Sequence, residues 1–99
     1  MPKYFAVRNI RGPAWDATRT LREQTLWDEH AAFMDALTTD GFIVLGGLLG
    51  GTAGALLIIS ADRENAVRVR LAPDPWYKSG HPRRGSVDEW TILLNAKRL

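Results

Sequence analysis

The hydrophobic positions of the chain follow two kinds of pattern. Short runs of aliphatic and aromatic residues, bounded by Gly, Pro and polar residues, predict strands at residues 4–7, 42–45, 55–59 and 87–94. Between the first two runs, apolar residues recur at the spacing of a helix, with His30 and Leu37 on one stripe. Thr20 and Glu23 have the spacing of a capping box at the start of that helix, with Thr25 as an alternative start, and Gly41 is a residue type that ends helices.

A second helix is predicted after the third strand. Asp62 is a plausible N-cap for it, and Pro73 ends it because proline has no backbone N–H to donate. The five glycines of residues 46–54 favour a hairpin, and residues 76–84 are predicted to form a loop. The resulting order, βαββαβ, is typical of ferredoxin-like domains, in which two helices cover one face of an antiparallel sheet. The sequence therefore predicts one α+β domain over residues 1–99.

The predicted strands are apolar on both sides, which does not suit a sheet with one face in water. A second sheet from another copy of the chain would cover the face that the helices leave open. We therefore expect a two-fold homodimer.

Composition narrows the class of protein. Of 99 residues, 45% are hydrophobic and 24% charged, with a formal net charge of +2, and these are ordinary values for a globular domain. Basic residues are spread between acidic ones, so a nucleic-acid partner is not expected. The absence of cysteine excludes disulfides and thiolate chemistry. No apolar run is long enough to cross a bilayer, so we expect no membrane partner and a cytoplasmic location.

Two residues far apart in sequence form the leading chemical pair. His30 lies on the apolar stripe of the first helix, facing the sheet, where a neutral imidazole can act as a base near pH 7. Asp74 stands between two prolines that hold its backbone extended, and its carboxylate would fix the tautomer of the imidazole. A core histidine satisfied by its neighbours is the simpler alternative, and the sequence leaves it open.

The remaining candidates concern substrate binding. Trp27, Phe33 and Trp76 are candidate pocket residues, although large aromatic side chains more often belong to a core or an interface. His81, in a basic segment, is a candidate for orienting an anionic substrate, and a solvated loop is the simpler interpretation. The glycines of residues 46–54 lack the Lys-Ser/Thr of a phosphate-binding loop, and the two histidines lack the spacing of metal ligands. We expect no metal and no organic cofactor.

Four segments of the chain resemble the YCII-related family in their order and spacing: residues 27–34, 41–47, 71–76 and 87–94. The match covers nearly the whole chain and is weakest over residues 9–24. The resemblance implies a dimeric α+β barrel of ferredoxin-like subunits, with an active site where His30 meets Asp74. It also implies lyase or dehalogenase-type chemistry on a small molecule. Leu48 and Leu49 stand where the family usually has a proline, which leaves the substrate open.

Two functions are consistent with these features. The first is a small cofactor-independent enzyme in which His30 moves a proton and Asp74 orients it, so that elimination, isomerisation or hydrolysis would all suit the pair. The second is a non-catalytic dimeric module that binds a small molecule or another protein.

Overall fold

The computed structural model describes residues 3–50 and 54–96. These residues form, in chain order, β1 (Lys3–Arg11), a short 3-10 helix (Leu21–Glu23), α1 (Trp27–Thr39), β2 (Ile43–Leu48), β3 (Gly54–Ala61), α2 (Glu64–Leu71), α3 (Pro75–Ser79) and β4 (Pro82–Trp90). Among them no helix is long and apolar enough to cross a membrane.

The four strands form one antiparallel sheet in the order β2-β3-β1-β4. In the register of this sheet, Phe5 lies opposite Ile59, and Val7 lies opposite both Leu57 and Val87. Because side chains alternate between the two faces of a strand, these five residues share one face. The α+β architecture is therefore confirmed, and the strand order is compatible with a ferredoxin-like fold.

The hydrophobic core lies between this face and the two longer helices. The strand residues pack with Leu37 of α1 and with Val67 and Leu71 of α2 in one buried cluster. Both helices therefore lie on the same face of the sheet, as the βαββαβ order predicts. Val7, Ile59 and Val67 are fully buried, so the centre of the core lies between α2 and strands β1 and β3.

The bounds of the last strand were predicted wrongly from the sequence. β4 begins at Pro82 and ends at Trp90, so Ile92 and Leu94 lie outside it, and Leu94 is 95% exposed. The predicted loop at residues 76–84 instead contains most of α3 and the start of β4. Proline at the first position of β4 suits an edge strand, because its missing N–H faces away from the ladder.

The helix starts also differ from the prediction. Thr20 and Glu23 do form a capping box, but it caps the short 3-10 helix rather than α1. The residue before α1 is Leu26, which adopts a left-handed conformation with φ 67°. The N-cap of α2 is Arg63, one residue after the predicted Asp62.

Candidate functional site

A cleft of about 760 Å³ opens beside α1, on the face of the sheet that carries the helices. Its walls come from the end of β1, the segment before α1, one side of α1, the β2–β3 hairpin and the segment around α3. The walls are mostly apolar. Among the described residues that line it, the charged side chains are Arg11, Arg19 and Asp74.

His30 and Asp74 meet at the wall of this cleft. The His30 Nδ1 lies 2.9 Å from Asp74 Oδ1 and 3.0 Å from Oδ2, and the side chains are only 15% and 9% exposed. An ionised carboxylate can only accept hydrogen bonds, so Nδ1 carries the proton and donates it. The lone pair of the neutral imidazole is then on Nε2, which has no hydrogen-bond partner in residues 3–50 and 54–96.

Asp74 is held in place by a second hydrogen bond. It is the N-cap of α3, and its Oδ1 accepts the backbone N–H of Trp76 at 3.0 Å. Pro75 occupies the first helical position, where its fixed φ is favourable and its missing N–H costs nothing. One carboxylate therefore starts a helix and orients the imidazole of His30.

Trp76 is the centre of an aromatic cluster around this pair. It is only 4% exposed, and its ring stacks on His30 with centroids 3.9 Å apart and planes 9° apart. Its Nε1–H donates to the backbone oxygen of Thr25 at 2.8 Å. Trp15 and Trp27 each contact the ring at 5.6 Å between centroids. The stacked indole therefore restrains the plane of the imidazole.

His81 is buried, so the solvated-loop interpretation of its segment is wrong for this residue. Its ring lies nearly parallel to that of Trp76, with centroids 5.5 Å apart, and it lines the same cleft as His30. Its Nδ1 lies 2.6 Å from the hydroxyl oxygen of Ser79. The backbone N–H of His81 donates to Trp76, and its carbonyl accepts the N–H of Gly12.

Two of the predicted substrate-binding residues have different surroundings. Trp27 lines the cleft together with His30 and Met34, which follow it along one side of α1. Phe33 does not line the cleft and packs instead against the hydrophobic core. The physical reason is the helix period: position 34 lies about 40° around the axis from position 30, whereas position 33 lies about 60° in the other direction. Phe33 is therefore a core residue.

The segment before α1 supplies cleft residues that the sequence did not reveal. Trp15 lines the cleft, and the guanidinium of Arg11 lies 4.7 Å from the centroid of its ring. Gln24 is 3% exposed and ties the segment together, since its side chain accepts from the Asp16 N–H and donates to the Asp16 carbonyl. A Cβ on Gly12 would collide with the Gly80 carbonyl, so glycine permits the close approach of this segment to the end of α3.

A second polar pair lies behind Asp74. The guanidinium of Arg84 lies 4.3 Å from the ring centroid of Tyr77. Burial raises the pKa of the Tyr77 phenol, and the charge of Arg84 opposes that rise. Burial likewise lowers the pKa of Arg84. Arg84 Nη1 and Asn9 Oδ1 are buried and have no hydrogen-bond partner among the described residues, and they lie beside a cavity of about 10 Å³ that Asp74 also borders.

The arrangement suits proton transfer. A histidine that donates one ring N–H to a buried carboxylate and opens its other nitrogen to a cleft is a positioned general base. The part of the chain that the structure describes has no cluster of three or more His, Cys, Asp or Glu residues that could hold a metal ion.

Comparison with known proteins gives no family. No family model matches the chain, and no curated protein matches its sequence closely. The site is therefore interpreted from its own geometry.

Proposed function

We propose that this chain is a small cofactor-independent enzyme that moves a proton on an organic substrate bound in the cleft, with His30 as the base and Asp74 as its orienting partner. The observation that supports this most is the 2.9 Å contact between the two side chains at the wall of a 760 Å³ cleft. A satisfied core histidine would have both ring nitrogens hydrogen-bonded, whereas Nε2 of His30 has no hydrogen-bond partner among the described residues.

The first step of the proposed chemistry needs only the side chains of His30 and Asp74. His30 Nε2 takes a proton from a carbon or oxygen of the substrate, and the electron pair of the broken bond remains with the substrate. The imidazolium that forms lies beside the carboxylate of Asp74, which stabilises the charge without accepting the proton. A substrate packed against the mostly apolar walls would displace water and so strengthen this interaction.

We also propose that the chain is a YCII-related protein and that two copies form a dimeric α+β barrel. The strand order supports this, together with the face of the sheet that the helices leave open. By the sheet register, that face carries Tyr4 opposite Trp90 and Leu45 opposite Ile58. Leu45 is 53% exposed and Trp90 is 42% exposed, so a second sheet would remove large apolar side chains from water. Light scattering at micromolar concentration should give the mass of a dimer, and a monomer mass would contradict the barrel.

The catalytic proposal can be tested before the natural substrate is known. Nitrobenzisoxazole is a flat, apolar probe whose ring opens when a base removes its C–H proton, and the phenolate product is coloured. The wild-type protein should open it faster than free imidazole at the same concentration. His30→Gln should lower kcat/KM by about 10²-fold or more, since a positioned base contributes that much.

Glu29→Gln is the matched control, because Glu29 is the exposed neighbour of His30 on α1. It should leave the rate unchanged. A wild-type rate no greater than that of imidazole, or one that survives His30→Gln in a folded protein, would contradict the enzyme. Binding of the probe without ring opening would then favour the non-catalytic small-molecule-binding module.

A further inference from the structure

His81 shares the geometry of His30 although the two residues are held by different partners. Both rings line the cleft, and both lie nearly parallel to Trp76, at 9° and 12°. The two imidazoles therefore lie against one indole, which fixes their planes relative to each other. A second fixed histidine is not needed for a single proton abstraction.

Ser79 determines which nitrogen of His81 exchanges a proton. The Ser79 hydroxyl has one hydrogen, and it donates this hydrogen to the backbone oxygen of Trp76 at 3.0 Å. We assign this hydrogen to the Trp76 contact, and on that assignment the hydroxyl accepts from His81 Nδ1, which lies 2.6 Å from it. Nδ1 of His81 therefore keeps its hydrogen in both the neutral and the charged ring, and proton exchange takes place at Nε2.

The Nε2 atoms of both histidines are the nitrogens left without a partner among the described residues, on rings that line the cleft. Within residues 3–50 and 54–96, neither atom has a hydrogen-bond partner, and neither is among the buried polar atoms that lack one. Asp74 directs the exchangeable proton of His30 to Nε2, and Ser79 does the same for His81. Each of the two rings thus has one nitrogen, Nε2, that can exchange a proton in the cleft, while its Nδ1 is hydrogen-bonded to Asp74 or Ser79.

We propose that His81 is the second proton-transfer residue of this cleft and acts as the general acid, with Ser79 as its positioning residue. The inference rests on the proposed function and adds the class of reaction. The two partners suggest the division of roles: a positive charge on His30 lies beside a carboxylate, whereas one on His81 lies beside a neutral hydroxyl. His30, whose imidazolium the carboxylate can stabilise, is therefore assigned as the base, and His81, the other ring that lines the cleft, as the donor.

The step is balanced without any further reactant. His30 Nε2 takes a C–H proton, and the C–H electron pair becomes a new π bond of the substrate. In an elimination the bond to a leaving atom then breaks, and in an isomerisation an existing π bond shifts. In both cases the atom that receives the displaced electron pair takes the proton from Nε2 of protonated His81. The products are the imidazolium of His30 and neutral His81, and exchange with water restores both. The substrate class is then a small molecule with an acidified C–H bond and a second proton-accepting atom, which undergoes elimination or isomerisation.

Two probes whose leaving oxygens differ in basicity test whether His81 acts as an acid. Ring opening of a benzisoxazole breaks an N–O bond and leaves a phenolate oxygen, which His81 would protonate. This oxygen is more basic in unsubstituted benzisoxazole than in nitrobenzisoxazole, so the acid matters more for the unsubstituted probe. His81→Gln should lower kcat/KM about 10²-fold with benzisoxazole and by a clearly smaller factor with nitrobenzisoxazole.

The variants separate this inference from the proposed function. If His30→Gln lowers both rates and His81→Gln lowers them equally or not at all, the acid role of His81 is wrong while the base role of His30 stands. If His30→Gln has no effect, the proposed function fails first. Ser79→Ala should reduce the benzisoxazole rate selectively, and Ser79→Thr, which keeps the hydroxyl, should restore it.

Nitrogen-15 NMR of the wild-type protein provides a test that does not require any variant to fold. The ring nitrogens of neutral His81 should show the hydrogen on Nδ1, and Ser79→Ala should shift this population toward Nε2–H, the more common tautomer in solution. A wild-type His81 with its hydrogen mainly on Nε2 would overturn the assignment of Ser79 as an acceptor, and with it the proposal.

Discussion

Trp76 contributes both to the stability of the fold and to the geometry of the site, so substitutions at this position should lower the free energy of unfolding. The ring is 4% exposed, whereas Val69 on α2 is 59% exposed, lies away from the cleft and from the proposed dimer face, and provides a control. Trp76→Ala removes a nearly fully buried ring and should cost about 3–5 kcal/mol of unfolding free energy. The lost Nε1–H bond to the Thr25 carbonyl contributes roughly 1 kcal/mol of the total.

A graded series separates packing from hydrogen bonding. Trp76→Phe keeps a ring that can stack on His30 and removes the donor to Thr25, so it should cost about 1–2 kcal/mol from the bond and the small volume lost. Val69→Ala should cost clearly less than Trp76→Ala because most of its side chain is already in water. Urea denaturation monitored by circular dichroism measures all three. Equal midpoints for Trp76→Ala and Val69→Ala would show that Trp76 does not anchor this region, and would refute the reasoning.

Three further outcomes follow from the contacts of the site. Gly12→Ala should destabilise the protein by about 1–3 kcal/mol, because its Cβ meets a backbone carbonyl, whereas Gly47→Ala, with open space around it, should cost far less by thermal melting. The pKa of the Tyr77 phenol is higher in the folded protein than the value of 10.0 in the unfolded chain, so the folded state holds this proton more tightly. The resulting stability is fully present below pH 10.0 and is lost as pH rises through the pKa of the folded state. Tyr77→Phe should therefore flatten the alkaline fall in urea midpoint, and an unchanged slope would count against the raised pKa. Asp74→Asn should keep the cap of α3, since asparagine also caps helices, yet lower the rate with nitrobenzisoxazole about 10²-fold or more, while exposed Asp35→Asn should not change it.

The contact between His30 and Asp74 was accessible from the sequence because it depends on topology. The helical stripe indicates that His30 faces the sheet, and the βαββαβ order places the end of the second helix on the same layer. The structure brings the two side chains into contact, 44 positions apart. Their catalytic role stays a proposal, since neither periodicity nor a static contact demonstrates a reaction.

The surroundings of His81 were not predicted, because α3 was interpreted as a loop. The signals of a short helix are present in the sequence: Asp74 as an N-cap, Pro75 at the first position and Gly80 after the last. Five residues are too few for hydrophobic periodicity to appear, so only the cap residues mark the helix. Without α3, the stacking of His81 on Trp76 has no basis in the sequence.

The segment before α1 escaped prediction for a different reason. Its structure depends on contacts with distant residues, such as the N–H of Gly12 donating to the His81 carbonyl and that of Ala14 donating to Gly80. Such hydrogen bonds leave no periodic pattern. Trp15 therefore looked like an isolated aromatic residue in a loop, although it contacts the ring of Trp76.

The short length of α3 has a consequence for how the site depends on the rest of the protein. Asp74, Trp76 and Ser79 belong to this one helix or its cap, and a helix of five residues is not stable on its own. Its position must therefore come from tertiary contacts. The carboxylate of its N-cap accepts from His30, its indole N–H donates to the carbonyl of Thr25, and its end packs closely against Gly12. These contacts all lie at the cleft, whereas the hydrophobic core is formed by the sheet, α1 and α2. Loosening the segment around Gly12 should therefore disturb the two histidines at a lower cost than unfolding the core, and the site should lose its geometry before the fold is lost.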